Sequence, residues 1–297
     1  MNLLKEQVVF ISGAGTGLGR AYAEHLVSQG ACVIINDIAM DSNGNYASVT
    51  AADEIQKAGG NAVADHTDIT DRVAIRQALN QYIDKFGKID ICIHNAGATH
   101  FEAFDQLSDE TWDKTLDVHL NAANNILKPI ITVMKNNGYG RILLISSSVG
   151  MFGTARSAPY AAAKMAIWGL VKSLHVEFSS QGIFVNAISP IAKSSHNNPL
   201  FIEKMDIDFD PNYIAPFVSY LCSRLCLSSG NVFVCGGGYF ALSELYESEG
   251  IYLDKTSISL ENISNAFKQI CDMKNAIGIF SFEQATKKLL KKIFKGA

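Results

Sequence analysis

The chain has no basic surplus, no apolar run of membrane-spanning length and no leader-like N-terminus, and each absence removes a class of function. Lys and Arg number 25 against 29 Asp and Glu, a formal net charge of −4, which argues against the electropositive footprint that nucleic-acid binding needs. A spanning helix needs roughly 20 consecutive apolar residues, and no such run occurs. The opening residues MNLLKEQVVFISG carry neither a basic region ahead of an apolar stretch nor a small-residue cleavage site. The closing Lys295-Gly296-Ala297 is not a Ser-Lys-Leu type peroxisomal address. The expected location is therefore the cytoplasm, with no membrane and no nucleic acid as partners. Metal chemistry is not expected either. Cys222 and Cys226 sit four apart on an expected helix without a second Cys/His pair to complete a zinc site. Cys32, Cys92 and Cys235 lie in apolar runs and read as small buried hydrophobes.

What the chain does have is alternation. Strand-like apolar runs fall at Gln7–Ser12, Cys32–Asn36, Ala62–Asp65, Ile89–His94, Arg141–Ser146, Ile183–Ile188 and Asn231–Cys235. Several are continuous, as strands buried on both faces should be. Helical patterns separate them at Leu18–Ser28, Ala51–Ala58, Arg72–Phe86, Asp109–Lys135, Ala158–Phe178 and Tyr213–Leu225. Strand alternating with helix predicts an α/β fold: a doubly wound parallel sheet of about seven strands with helices on both faces. Residues 1–238 are expected to hold this sheet and the active site. Residues 239–297 should form a helical extension, with helices near Leu260–Asp272 and Phe282–Phe294. The second carries Lys287, Lys288, Lys291, Lys292 and Lys295 opposite Phe282, Leu289, Ile293 and Phe294. It is expected to dock by its apolar stripe with the lysines in water, not to bind membrane.

Two patterns carry chemistry. Ser12-Gly13-Ala14-Gly15-Thr16-Gly17-Leu18-Gly19 joins the first strand to the first helix. Small residues there let the backbone approach a pyrophosphate, and the helix N-terminus offers free N–H groups. Gly13, Gly17, Leu18 and Gly19 are thus candidate cofactor contacts, in a Rossmann-type setting. The second strand ends in Asp37, whose carboxylate can accept both adenosine ribose hydroxyls and would repel a 2′-phosphate, so NAD is expected over NADP. Farther on, Tyr160-Ala161-Ala162-Ala163-Lys164 puts a phenol and an ammonium one helical turn apart. A free phenol titrates near pH ~10. A neighbouring lysine and a positive nicotinamide are expected to favour the phenolate, giving a general acid/base for an alcohol proton.

With these motifs the chain resembles the short-chain dehydrogenase/reductase family along nearly its whole length. The resemblance implies that Asp68 and Ile69 contact adenine, that Asn95-Ala96-Gly97 matches the family's Asn-Asn-Ala-Gly segment, and that Asn186–Pro190 closes over the nicotinamide. Ser147, followed by Gly150, Gly153 and Tyr160, has the family's serine-to-tyrosine spacing, while Ser146 and Ser148 are left for local bonds. The implied catalytic set is Asn121, Ser147, Tyr160 and Lys164. Tyr160 takes the hydroxyl proton, Ser147 holds the substrate oxygen, Lys164 binds the nicotinamide ribose, and Asn121 holds a proton-relay water. His94 stands where the family has its first asparagine, Ile191 where it has glycine, and Ser194 or Ser195 can replace a threonine.

Ser12–Tyr22, Ala51-Ala52-Asp53, Pro211–Cys222 and the extension resemble one branch more closely, the (3R)-hydroxyacyl-CoA dehydrogenase domain of type 2 peroxisomal multifunctional enzymes. That implies a (3R)-3-hydroxyacyl-CoA thioester as substrate and a homodimer or homotetramer. A steroid or an acyl-carrier-protein substrate, or a nucleotide-binding regulatory protein without catalysis, are the alternatives.

Overall fold

A computed structural model describes residues 2–193 and 208–296; Ser194 and Ser195 lie outside the described residues. Its first compact unit runs from Met1 to Leu242. The strands are β1 Val8–Ser12, β2 Cys32–Asn36, β3 Asn61–Asp65, β4 Ile91–His94, β5 Gly140–Ile145, β6 Ile183–Pro190, β7 Val232–Gly236 and β8 Tyr239–Ser243. They form one sheet in the order β3-β2-β1-β4-β5-β6-β7-β8, eight strands among the described residues. Every pairing from β3 across to β7 is parallel.

The strand beyond the expected seven is β8, which follows Gly237 and Gly238, both at positive φ. Most of its residues are exposed, so it lacks the continuous apolar run that marks the inner strands. Tyr239–Leu242 therefore belong to the main sheet and not to the extension.

Alternate strand residues feed two cores. Val9 and Ile11 pack with Tyr22 and Leu26 of α1 (Gly17–Ser28) and with Ala51 and Ile55 of α2 (Ala47–Lys57). Val8 and Phe10 face the opposite side, with Ile75 and Leu79 of α3 (Arg72–Phe86). The helix expected over Asp109–Lys135 is interrupted. α4 (Asp109–Leu116) passes into a π-turn at Asp117–Asn121 and resumes as α5 (Ala122–Asn137). α6 (Ser148–Phe152) is a short helix with Ser147 at its N-cap, accepting the Val149 N–H. α7 (Ala158–Phe178) has the expected bounds, and α8 (Ala215–Leu221) precedes β7.

The chain reverses the direction of its sheet between β3 and β4, so β1 and β4 are neighbours with Ser12 opposite His94. The crevice at such a switch point is where open α/β sheets bind ligands.

The second compact unit spans Ser243–Ala297. It contains a two-stranded antiparallel pair, β9 (Tyr246–Glu247) and β10 (Ile277–Gly278), with α9 (Leu260–Ile270) and α10 (Phe282–Gly296). On α10, Lys287 and Lys291 are exposed as expected, whereas Lys288, 17% exposed, pairs with Glu247 at 2.9 Å, and Lys292 with Glu249 at 2.7 Å. Phe282, Leu289 and Phe294 are exposed and Ile293 is half-buried. Two of the lysines thus tie the helix to acidic residues at and just after β9.

Candidate active site

A cavity of about 660 Å³ opens at the switch point, lined by Gly13, Gly17, Leu18, Asp37, Asp68, Ile69, Asn95, Ala96, Gly97, Tyr160, Lys164 and Pro190. The expected cofactor residues all line it except Gly19. That glycine packs loop against helix: a Cβ there would come within 2.1 Å of the Gly13 carbonyl oxygen.

The loop conformation requires the glycines. Gly13 adopts φ +65° and lies so close to Ala96 that a Cβ would sit 2.6 Å from the Ala96 Cα. Asn95 explains this approach, because its Nδ2 donates to the Gly13 carbonyl at 2.8 Å. The Asp37 carboxylate accepts the Gly15 N–H at 2.9 Å and the Ala39 N–H at 2.9 Å. Its charge is thereby fixed beside the glycine loop, and a role for Gly15 emerges that glycine spacing did not reveal. Asp68 accepts the Thr70 N–H and hydroxyl, which orders the turn after β3. The concave, glycine-lined cavity with a fixed carboxylate at one end fits a dinucleotide.

Tyr160 and Lys164 also line the cavity, and the Ser147 side chain stands beside the Tyr160 phenol. Lys164 is 4% exposed; its ammonium donates to the Ile145 carbonyl at 2.6 Å and lies 5.6 Å from the Tyr160 ring centroid. Burial pushes Lys164 down to about 7. Burial raises Tyr160 above its ordinary value, and the Ser147 side chain beside it offsets part of that rise. The direction is the reverse of the one expected from the Tyr-Lys pair. The ammonium addresses the ring and the β5 carbonyl, so the protein alone holds a neutral phenol. Ser146 donates to the Lys164 carbonyl at 2.8 Å and Ser148 bonds Ser189 at 3.0 Å, the local roles expected of them. Gly150 lets α6 close on α7, since a Cβ would come within 2.8 Å of the Lys164 backbone.

Asn121 is not part of this cluster. Its side chain is exposed and donates to Asp117 at 2.7 Å on the outer face of the π-turn. His119 takes the inner position: it is 3% exposed, and its ring meets Tyr160 edge-on at 5.0 Å between centroids and 85° between planes. His119 Nε2 is 2.7 Å from the Ala98 carbonyl oxygen, so that nitrogen carries the proton. Gly97 makes room, because a Cβ there would collide with the imidazole at 2.1 Å. The signal was present in the sequence: Thr115, His119, Ala122, Ile126 and Ile130 recur at helical spacing on a face that is buried throughout. His94 also lies inside the structure, its Nδ1 2.9 Å from the Ser12 hydroxyl. The bond expected from the family's first asparagine is thus replaced by one between the paired ends of β1 and β4.

The family pattern described as short chain dehydrogenase matches residues 7–201. The chain belongs to the short-chain dehydrogenase family. It is 33% identical over 295 residues to the peroxisomal multifunctional enzyme type 2 of Mus musculus, an alignment covering 97% of this chain and 40% of that protein. It is 34% identical over 184 residues to the 3-oxoacyl-[acyl-carrier-protein] reductase of Escherichia coli, covering 62% of this chain and 72% of the reductase. Among solved structures, full-length peroxisomal multifunctional enzyme type 2 from Drosophila melanogaster matches with a TM-score of 0.81 and 28% identity, over 98% of this chain and 50% of that one. The chain spans half or less of the multifunctional enzymes it matches here. It is a Rossmann-type short-chain dehydrogenase, an oxidoreductase family acting on CH–OH groups, and it resembles the dehydrogenase part of those enzymes. Two buried histidines, His94 and His119, lie close to Tyr160 and Lys164.

Proposed function

We propose that this short-chain dehydrogenase is an NAD-dependent oxidoreductase interconverting (3R)-3-hydroxyacyl-CoA and 3-ketoacyl-CoA. The observation that carries the reading is Tyr160, with Ser147 beside its phenol and the Lys164 ammonium 5.6 Å from its ring, lining a cavity that the glycine loop also lines. Nicotinamide, when bound, supplies a hydride acceptor. Tyr160 takes the hydroxyl proton of the alcohol, and Ser147 donates to the substrate oxygen and steadies its developing charge. Lys164 holds the nicotinamide ribose, and its ammonium together with the positive ring of the oxidised cofactor brings the phenol toward the phenolate. Asp37, whose oxygens keep lone pairs beyond their backbone bonds, accepts the adenosine ribose hydroxyls.

The acyl-CoA assignment rests on the likeness to the multifunctional enzymes, in sequence and across 98% of the chain in structure. The likeness to the E. coli reductase supports a second reading, an acyl-carrier-protein substrate. NADH absorbance assays with 3-hydroxyacyl-CoAs, acyl-carrier-protein thioesters and steroids decide between them; turnover confined to the last two would overturn the CoA assignment. For the cofactor, kcat/KM is expected to favour NAD, and Asp37→Ala to narrow the gap. A wild type that prefers NADP would refute the role given to Asp37.

The protein is further expected to be a homodimer or homotetramer, a reading supported by the large apolar side chains left exposed at Leu260, Phe267, Phe282 and Phe294. Cytoplasmic location remains part of the proposal. It is supported by six free cysteines, which suit a reducing compartment.

A further inference from the structure

Two imidazoles near the catalytic tyrosine have their tautomers fixed by their neighbours. The Ser12 hydroxyl oxygen accepts the N–H groups of Asn95 and Ala96, each at 3.2 Å. Its own hydrogen is left for His94 Nδ1 at 2.9 Å. His94 therefore carries its proton on Nε2. That atom is buried without an aligned hydrogen bond, while the carbonyls of Val118 and His119 stand beside the ring. Those carbonyls belong to the π-turn, where the regular helical ladder is displaced. His119 extends from this turn, donates from Nε2 to Ala98 and leaves Nδ1 bare and buried. Its ring abuts the Tyr160 ring. A continuous path thus runs from the end of β1, where the glycine loop begins, through His94 and the π-turn to Tyr160.

Both rings stay uncharged. Burial first, and the Lys164 charge second, hold His94 down to about 4 and His119 down to about 2. A charged imidazole there would compete with Lys164 for the phenolate. A neutral one fixes the ring without adding charge.

We propose that His119 is a further positioning residue of the reaction, held in turn by His94, and that the pair couples the orientation of the Tyr160 hydroxyl to the glycine loop. The inference rests on Tyr160 being the proton-transfer residue. The groups around that phenol are Ser147 from the α6 cap, Lys164 from α7 and His119 from the π-turn, with His94 of β4 behind His119. If the brace is loosened, the Tyr160 phenol moves away from the Ser147 side chain that lowers its titration, and it ionises at higher pH.

The test uses the whole chain and two readouts. One is the Tyr160 titration, taken as the tyrosinate absorbance difference against Tyr160→Phe, which needs neither substrate nor cofactor. The other is kcat and KM across pH. His94→Leu is the decisive variant, because His94 is not among the groups that touch the phenol. It is expected to raise the Tyr160 titration by about half a pH unit or more, and to cut kcat roughly fivefold or more with KM changed less than about twofold. His94→Asn, whose amide can both accept from Ser12 and donate to the π-turn, should restore most of the loss. His119→Phe should shift the titration further, and the double variant should be no worse than His119→Phe alone, as for two links of one chain. An unmoved Tyr160 titration in His94→Leu would overturn the proposal, as would effects that multiply independently in the double variant. If His94→Leu does not fold, the same comparison is made between His119→Asn, expected to stay near wild type because its amide can donate to Ala98, and His119→Phe; equal titrations there would also overturn it. Wild type without turnover on any thioester or steroid would defeat the functional reading, while the titration would still decide the brace.

Discussion

In the proposed reaction Tyr160 is the residue on which the chemistry turns, and its surroundings hold it as a phenol until a cofactor arrives. Burial raises its titration, Ser147 pulls it back in part, and Lys164 is itself pushed down to about 7. Tyr160→Phe keeps the ring that packs on His119 and removes the proton carrier. Turnover should fall on the order of a hundred- to ten-thousand-fold, with NADH binding, followed by fluorescence, nearly unchanged. The buried histidines give a second expectation. Their folded-state values, about 4 for His94 and about 2 for His119, lie below the ordinary ~6.5 of a free imidazole. The unfolded chain takes up protons at these sites below pH ~6.5 while the folded chain does not. Their stabilising share is therefore complete above that pH and is lost as pH falls toward 4, by on the order of 2–3 kcal/mol for each ring. Melting curves at pH 7 and pH 4 should show a smaller acid-induced drop for His94→Asn than for wild type; an equal drop would mean that the ring titrates normally in the folded protein.

At the scale of elements, the run from α4 through the π-turn into α5 decides which side chains reach the site. Residues two apart on a helix point about 200° from one another. His119 ends up inside and Asn121 outside, tied to Asp117. Asn121→Ala is accordingly expected to leave kcat within about twofold of wild type and cost no more than about 0.5 kcal/mol of stability, as for an ordinary surface change. A loss of tenfold or more in kcat would restore Asn121 to the machinery. Strand and helix identities were legible in the sequence because burial on both sheet faces leaves continuous apolar runs, and α3 and α7 carry the bounds their patterns indicate. The π-turn was not legible, since Asp117–Asn121 fits a regular helix as well as a bulged one. The glycine loop, Asp37, Ser147, Tyr160 and Lys164 could be read because each belongs to a short local motif. His119 could be placed on a buried helical face by its spacing, but its contact with Tyr160, like the place of His94, appears only once β1, β4 and the π-turn are brought together. On α10 periodicity marks two faces without saying what each meets: Glu247 and Glu249 take Lys288 and Lys292.

The whole molecule divides at Leu242, and the sheet with its cavity lies in the first unit but for the last residue of β8. Truncation after Leu242 should leave that unit folded, with a cooperative melt and retained NADH binding. Truncation after Gly238 also deletes β8 and should lower the melting temperature further. If removal of 243–297 also reduces the solution mass to that of a monomer, the exposed aromatics of α9 and α10 are the subunit contact. Unchanged assembly in the truncated protein would place that contact in the first unit.

The Ser12–His94 bond also bears on how the chain acquires its site. These residues are 82 positions apart in sequence, and β1 pairs with β4 only after β2 and β3 have been laid down on its other side or looped out between them. Closing so long a segment is entropically costly, and parallel pairings of this kind form slowly. No local fragment of the chain contains a competent centre. Cofactor loop and Tyr160 are mutually oriented only where the two halves of the sheet join, so the site depends on a pairing between residues 82 positions apart.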